Sequence, residues 1–137
     1  MLNRIEAGAD VVVGSRYIRG GSVGNWGLWR RTVSWAATEL ARQTIGIALT
    51  DPLSGFFMMR KQDFLSVQPR LNNTGFKICL EIIAKLPNQH VSEIAYVFRK
   101  RRAGRSKLST RVALQYVRQL CSLSMSVNSQ ASQSNRL

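Results

Sequence analysis

Val11, Val12 and Val13 form an unbroken apolar triplet between Asp10 and Gly14, the pattern of a short strand buried on both faces. Ahead of it, Leu2 to Ala7 reads as the last turns of a helix stopped at Gly8. A glycine-rich loop follows through Gly20, Gly21, Gly24 and Gly27. Beyond it, Trp29, Val33, Ala36, Ala37, Leu40 and Ala41 recur at three- and four-residue spacing. That spacing predicts a helix from Trp29 to about Ile47 with those residues on its apolar face, and with Arg30 and Ser34 one turn apart on another. Asp51-Pro52 ends the helical pattern, because proline disfavours helix at the residue before it. Phe56 to Met59 predicts a strand, and a short helix is expected from about Gln62. Lys77 to Leu86 predicts a helix that buries Ile78, Leu80, Ile82 and Ile83, with Lys77 and Glu81 paired at i and i+4. From Ser92 to Phe98, Ile94, Tyr96 and Phe98 alternate with Glu93, Ala95 and Val97, which is strand periodicity. Leu108, Val112, Leu114, Val117 and Leu120 then mark a closing amphipathic helix, with Arg111 and Arg118 on its polar side. Strands alternating with helices argue for an α/β domain.

Charge changes this picture. The chain has 137 residues, 45% of them hydrophobic, and a formal net charge of +13, which favours negatively charged partners. The cations crowd between Arg99 and Arg111 (Arg99, Lys100, Arg101, Arg102, Arg105, Lys107 and Arg111), with no acid among them. Gly104, Ser106 and Lys107 lie in their midst, next to the end of the predicted strand. Guanidinium forks grip two oxygens at once and backbone N–H groups add to them, so this loop suits a phosphate.

Other chemistry is narrowed by what is scarce. Cys79 and Cys121 are too few and too far apart for a disulfide framework or a zinc site, and Cys79 reads as a small buried hydrophobe. His90, the only histidine, argues against a histidine metal site or a Ser-His-Asp triad. No apolar run reaches the ~18 residues of a membrane-spanning helix. The expected organisation is one domain over residues 1–121 and a disordered polar tail over 122–137. The expected location is cytoplasmic, peripheral at the cytoplasmic membrane face.

Five segments together resemble the C-terminal half of polyprenyl-phosphate glycosyltransferases of the dolichol-phosphate mannose synthase type, family-two enzymes with a GT-A fold. In order they are Gly8 to Tyr17; Trp29-Arg30 with Ser34; Asp51-Pro52-Leu53-Ser54-Gly55-Phe56-Phe57; Gly75-Phe76-Lys77 with Leu80-Glu81; and Phe98, Arg101, Gly104, Ser106, Lys107 and Leu108. The resemblance implies an incomplete GT-A fold, a three-layer αβα sandwich lacking the N-terminal nucleotide-binding βαβ half. The absent strands would pair with Val11 to Val13, leaving a bare sheet edge. It implies transfer of a hexose, mannose or glucose, from a nucleotide-diphosphate sugar to a polyprenyl phosphate with inversion. Mg or Mn is expected for the full-length enzyme, whose Asp-x-Asp type motif has no counterpart among the seven acids of this chain; no metal ligand is therefore assigned here, and the chain alone is expected to be inactive.

The resemblance also implies that Arg16, Arg30, Ser34 and Arg101 face the acceptor phosphate, with Ser106 and Lys107 nearby. The attacking phosphate oxygen is already anionic at neutral pH, so fixed cations matter more than a strong base. Asp51 has two readings: the catalytic acid nearest the sugar, or a cap for backbone N–H groups. Gly55 is expected to be a position that a side chain would crowd. Glu81 is expected to pair with Lys77, with substrate contact as the alternative. Trp26 and Trp29, between glycines and arginines, fit a membrane interface, whereas Phe56 and Phe57 read as core. The expected partners are polyprenyl phosphate, a nucleotide sugar and an anionic membrane surface. Two other functions compete: a basic nucleic-acid-binding module, disfavoured by the lack of any recognised signature, and a non-catalytic membrane-surface protein.

Overall fold

The computed structural model describes residues 1–24, 26–71, 78–86, 90–99 and 113–124. Three strands form one mixed sheet in the order β2-β1-β3. β1 (Val11–Ser15) is central and buried along its whole length. β2 (Phe57–Met59) runs antiparallel to it, pairing Val11 with Met59 and Val13 with Phe57. β3 (Val91–Ala95) runs parallel on the other side, in register from Val11–Val91 to Ser15–Ala95. The bare edge expected at Val11 to Val13 is therefore not found: both sides of the valine strand are hydrogen-bonded, and the edges fall on β2 and β3.

Five helices surround this sheet among the described residues. They are α1 (Leu2–Glu6), α2 (Leu28–Ile45), α3 (Lys61–Val67), α4 (Ile78–Lys85) and α5 (residues 113–124). α1 ends before Gly8, whose φ of 101° is a conformation glycine adopts without strain. α2 stops at Gly46, a left-handed cap whose N–H bonds the Arg42 carbonyl, six residues before the proline expected to break it.

α4 is buried nearly all round and ties the fold together. Its Cys79 and Ile83 pack on Val11 and Val13 of the sheet, with Leu49 beside them. Its Leu80 meets Ala41 and Ile45 of α2 and Tyr116, Leu120 and Leu123 of α5. The layers on this side are sheet, α4, then the α2–α5 pair, a mixed α/β arrangement.

Two helical faces differ from the periodicity. α2 buries Thr38, Ala41 and Ile45, while Trp29 is 76% exposed and Leu40 and Ala36 also face outward. Apolar residues occur on every side of this helix, so spacing alone does not select a face. The selection is made by α5, whose Tyr116 hydroxyl donates to the Ala37 carbonyl at 2.6 Å. α5 itself buries Tyr116, Leu120 and Leu123, whereas Leu114 is 72% exposed and Val117 is also open. It continues to residue 124, so the helix enters the segment read as a polar tail; residues 125–137 lie outside the described set.

The two thiols contrast sharply. Cys79 is buried and Cys121 exposed, and burial, helped by the negative charge of Asp51, pushes the Cys79 thiol up to about 12. A thiolate-selective reagent at pH 8 should titrate one thiol in the native chain and two in denaturant. Fast modification of Cys79 in the native state would contradict this packing.

Candidate phosphate-binding site

The C-terminal end of β1 delivers Ser15, Arg16 and Tyr17 to one end of the sheet, facing the start of α2 and the Thr50–Ser54 turn. The Arg16 guanidinium forks onto Asp51: its Nε–H donates to Oδ2 at 2.6 Å and its Nη2–H to Oδ1 at 2.7 Å. The Arg16 backbone N–H also donates to Oδ2, at 3.1 Å. Burial draws the Arg16 pKa down, but the Asp51 hydrogen bond and charge outweigh it, so the value ends above its ordinary level. The guanidinium carries its charge at every ordinary pH.

Asp51 itself is fully buried. Its carboxylate is committed to Arg16 and its backbone carbonyl accepts the Ser54 N–H at 3.1 Å. The carboxylate therefore faces Arg16, which bonds it through both the guanidinium and the backbone N–H. Sequence reasoning missed the residue on the other side of this turn. Glu93, from β3, accepts the Thr50 N–H (3.1 Å), the Thr50 hydroxyl (2.8 Å) and the Asp51 N–H (3.2 Å).

A second cation joins from α2. The Arg30 guanidinium lies 4.1 Å from the centre of the Trp26 ring, and that of Arg16 lies 5.2 Å from the same centre. Ser34, one helical turn beyond Arg30, shares a 2.8 Å hydrogen bond with the Tyr17 hydroxyl. Arg16 and Arg30 thus share one indole ring, and Ser34 joins them through Tyr17, whose ring centre lies 5.5 Å from the Arg16 guanidinium. Tyr17, inside a quoted segment but given no role, belongs to the same group. Arg101, Ser106 and Lys107 lie outside the described residues.

Trp26 is half-buried and packs edge-on against Phe98, 5.4 Å between centres. It is a platform for guanidinium groups, worth ~0.5–2 kcal/mol per cation–π contact. Phe56, expected in the core, is partly exposed and lies 4.8 Å from the Tyr96 ring. Gly55 would meet nothing within 4 Å if it carried a Cβ. Gly21 is crowded instead, as are Gly14 and Gly24: a Cβ at Gly21 would fall 2.6 Å from the Ser15 carbonyl oxygen and 2.8 Å from the Arg16 carbonyl carbon. The loop therefore lies directly on the backbone that presents Arg16.

Glu81 is not exposed for substrate either. It is buried in α4 and accepts a 2.6 Å bond from Lys85 Nζ, which also donates to the Arg70 carbonyl at 2.5 Å. The expected partner Lys77 lies outside the described residues. Among the described residues no three of His, Cys, Asp and Glu gather to hold a metal ion. Asp51 and Glu93 spend their oxygens on protein donors, so these residues do not fit a divalent metal.

No protein-family profile matches the chain. Individual relatives do. It is 36% identical over 122 residues to the dolichol-phosphate mannosyltransferase of Pyrococcus furiosus, covering 88% of this chain and 34% of that protein. It is 40% identical over 115 residues to the dolichol-phosphate mannosyltransferase of Saccharomyces cerevisiae, covering 79% and 42%. With the polyprenol monophosphomannose synthase of Mycolicibacterium smegmatis it shares 31% over 113 residues, covering 80% and 42%. The chain thus spans well under half the length of each of these relatives.

Proposed function

The chain belongs to the dolichol-phosphate mannosyltransferase family of polyprenyl-phosphate glycosyltransferases, and from that membership we propose that it forms the acceptor side of such an enzyme. The acceptor is a polyprenyl phosphate. The donor is a nucleotide-diphosphate sugar, and transfer proceeds with inversion at the anomeric carbon as the acceptor oxygen attacks opposite the leaving diphosphate. One observation carries the proposal: the Arg16 and Arg30 guanidinium groups share the Trp26 ring, and Arg16 also lies 5.5 Å from the centre of the Tyr17 ring, whose hydroxyl bonds Ser34.

Each side chain then has a distinct task. Arg30, unlike Arg16, has no carboxylate partner among the described residues and supplies the charge that meets the phosphate. Arg16, held by Asp51, adds a fixed positive field beside it. Of the two protons of the Ser34 and Tyr17 hydroxyls one is spent on their shared bond, and the other is a donor for the phosphate. Bringing an anionic acceptor towards an anionic donor is the chief obstacle, and preset cations lower it without a general base. Arg101, Ser106 and Lys107 would add to this cradle.

The outer face of α2 suits a membrane surface, where the acceptor lipid resides. Leu28, Trp29 and Trp35 all stand well exposed on it, beside Arg31 and Arg42, a composition that favours an anionic interface. No helix among the described residues is long and apolar enough to cross a bilayer.

Sedimentation with vesicles tests this reading. Vesicles carrying undecaprenyl phosphate should bind the chain more tightly than vesicles carrying undecaprenol, with surface charge matched by phosphatidylglycerol. Arg30→Ala should remove about tenfold of that preference, the loss of one charge-assisted hydrogen bond at ~1.5–3 kcal/mol. Equal binding to both vesicles overturns the proposal.

A further inference from the structure

We infer that Glu93 is a positioning residue for Arg16 and Tyr17, acting through Thr50 and Asp51. The inference deepens the acceptor-phosphate reading and rests on it for its functional meaning. Its basis is the direction of a hydrogen-bond chain. A carboxylate only accepts, so the single hydroxyl proton of Thr50 goes to Glu93 at 2.8 Å. The 2.5 Å bond between Ser15 Oγ and Thr50 Oγ1 must then carry the Ser15 proton towards Thr50. The oxygen of Ser15 is left to accept the Tyr17 backbone N–H, at 3.2 Å. The order is fixed from end to end: Tyr17 N–H to Ser15, Ser15 to Thr50, Thr50 to Glu93. Successive bonds pointing one way towards a charge polarise each other.

A second branch starts from the same carboxylate. Glu93 accepts the N–H groups of both Thr50 and Asp51, which sets the backbone from which the Asp51 side chain reaches Arg16. The two branches meet at adjacent residues, Arg16 and Tyr17, both at the candidate site. Glu93 stands opposite Val13 across the parallel pairing, so the sheet register places it beneath this turn. It touches neither the indole platform nor the outer surface of the site, and its influence is exerted through others.

Glu93→Gln keeps the shape but offers one acceptor oxygen and turns an NH2 donor towards donors. Hydrogen exchange followed by NMR on the whole chain reads the outcome. Exchange should rise about tenfold at the Arg16 Nε–H and the Tyr17 N–H, and less than twofold at the Ile82 N–H of α4. An equal rise at all three sites would mean general destabilisation and overturn the inference, as would no change at Arg16. Should Glu93→Gln fail to fold, Thr50→Val, which cuts the hydroxyl chain alone, carries the same expectation at Tyr17. No lipid enters this measurement, so it and the vesicle test fail independently.

Discussion

Replacing Arg16 by methionine should lower the free energy of unfolding by about 3–5 kcal/mol, the usual cost of removing one member of a buried ion pair. The size follows from Asp51, which is fully enclosed while the Arg16 side chain is only 11% exposed. Methionine fills part of the volume but leaves the carboxylate in a low-dielectric site with one backbone N–H for company. Against the ~5–15 kcal/mol that holds a typical domain together, such a loss is severe. Asp51→Asn in the same chain should recover more than half of it, because the neutral amide has far less solvation to forfeit. Urea midpoints at constant m-value measure both. The guanidinium's pKa is raised, so its contribution is complete below the ordinary arginine pKa and is lost only as pH climbs through the higher folded value. The difference between native chain and variant, as far as that group governs it, should be flat from pH 6 to pH 9. An Arg16→Met midpoint within 1 kcal/mol of the native chain (about 0.3–1 M in urea) would contradict the buried pair.

The second large effect lies in α4. Glu81→Leu should cost a similar ~3–5 kcal/mol, since it removes the carboxylate facing a Lys85 ammonium that is only 10% exposed. The remaining carbonyl contact to Arg70 does not neutralise a charge. Adding Lys85→Met should restore most of the stability, because well-packed apolar side chains often replace a buried pair without loss. The double variant separates charge burial from shape. If Glu81→Leu alone were neutral, Lys85 would have to reach solvent in a way this packing does not allow.

The comparison of sequence and structure turns on what kind of information each residue carries. The valine triplet, the glycine stop of α1 and the alternation from Ser92 onward located β1, α1 and β3, although β3 ends at Ala95, three residues before Phe98, and β1 runs two residues past the triplet. These are local signals, decided by backbone geometry and period. The face of α2 was illegible because its apolar residues surround the axis, and its true contact includes Thr38, which no hydropathy pattern would select. The partners of the valine strand were misjudged because pairing depends on segments far along the chain. At the site, Arg16, Arg30 and Ser34 came from the motif resemblance; the structure sets the two arginines over one ring and bonds Ser34 to Tyr17. Glu93 was passed over as one polar position in an alternating strand. An acid in such a strand, with an Asp-Pro turn elsewhere needing its N–H groups satisfied, was the available signal, but sequence does not connect the two. Arg101, Ser106 and Lys107 fall outside the described residues, so the far side of the cradle rests on the resemblance.

The placement of β1 at the middle of its sheet has a consequence for how the chain is made. Val11 must wait for both Met59 and Val91 before its strand is closed on either side. At a synthesis rate of ~5–20 residues per second, several seconds pass between the emergence of the valines and that of their parallel partner. Until Phe57 to Met59 emerge the three contiguous valines have no mate, and until Val91 emerges one side of their strand stays open. Long-separated pairings of this kind fold slowly, which makes this short stretch the natural first client of a holding chaperone.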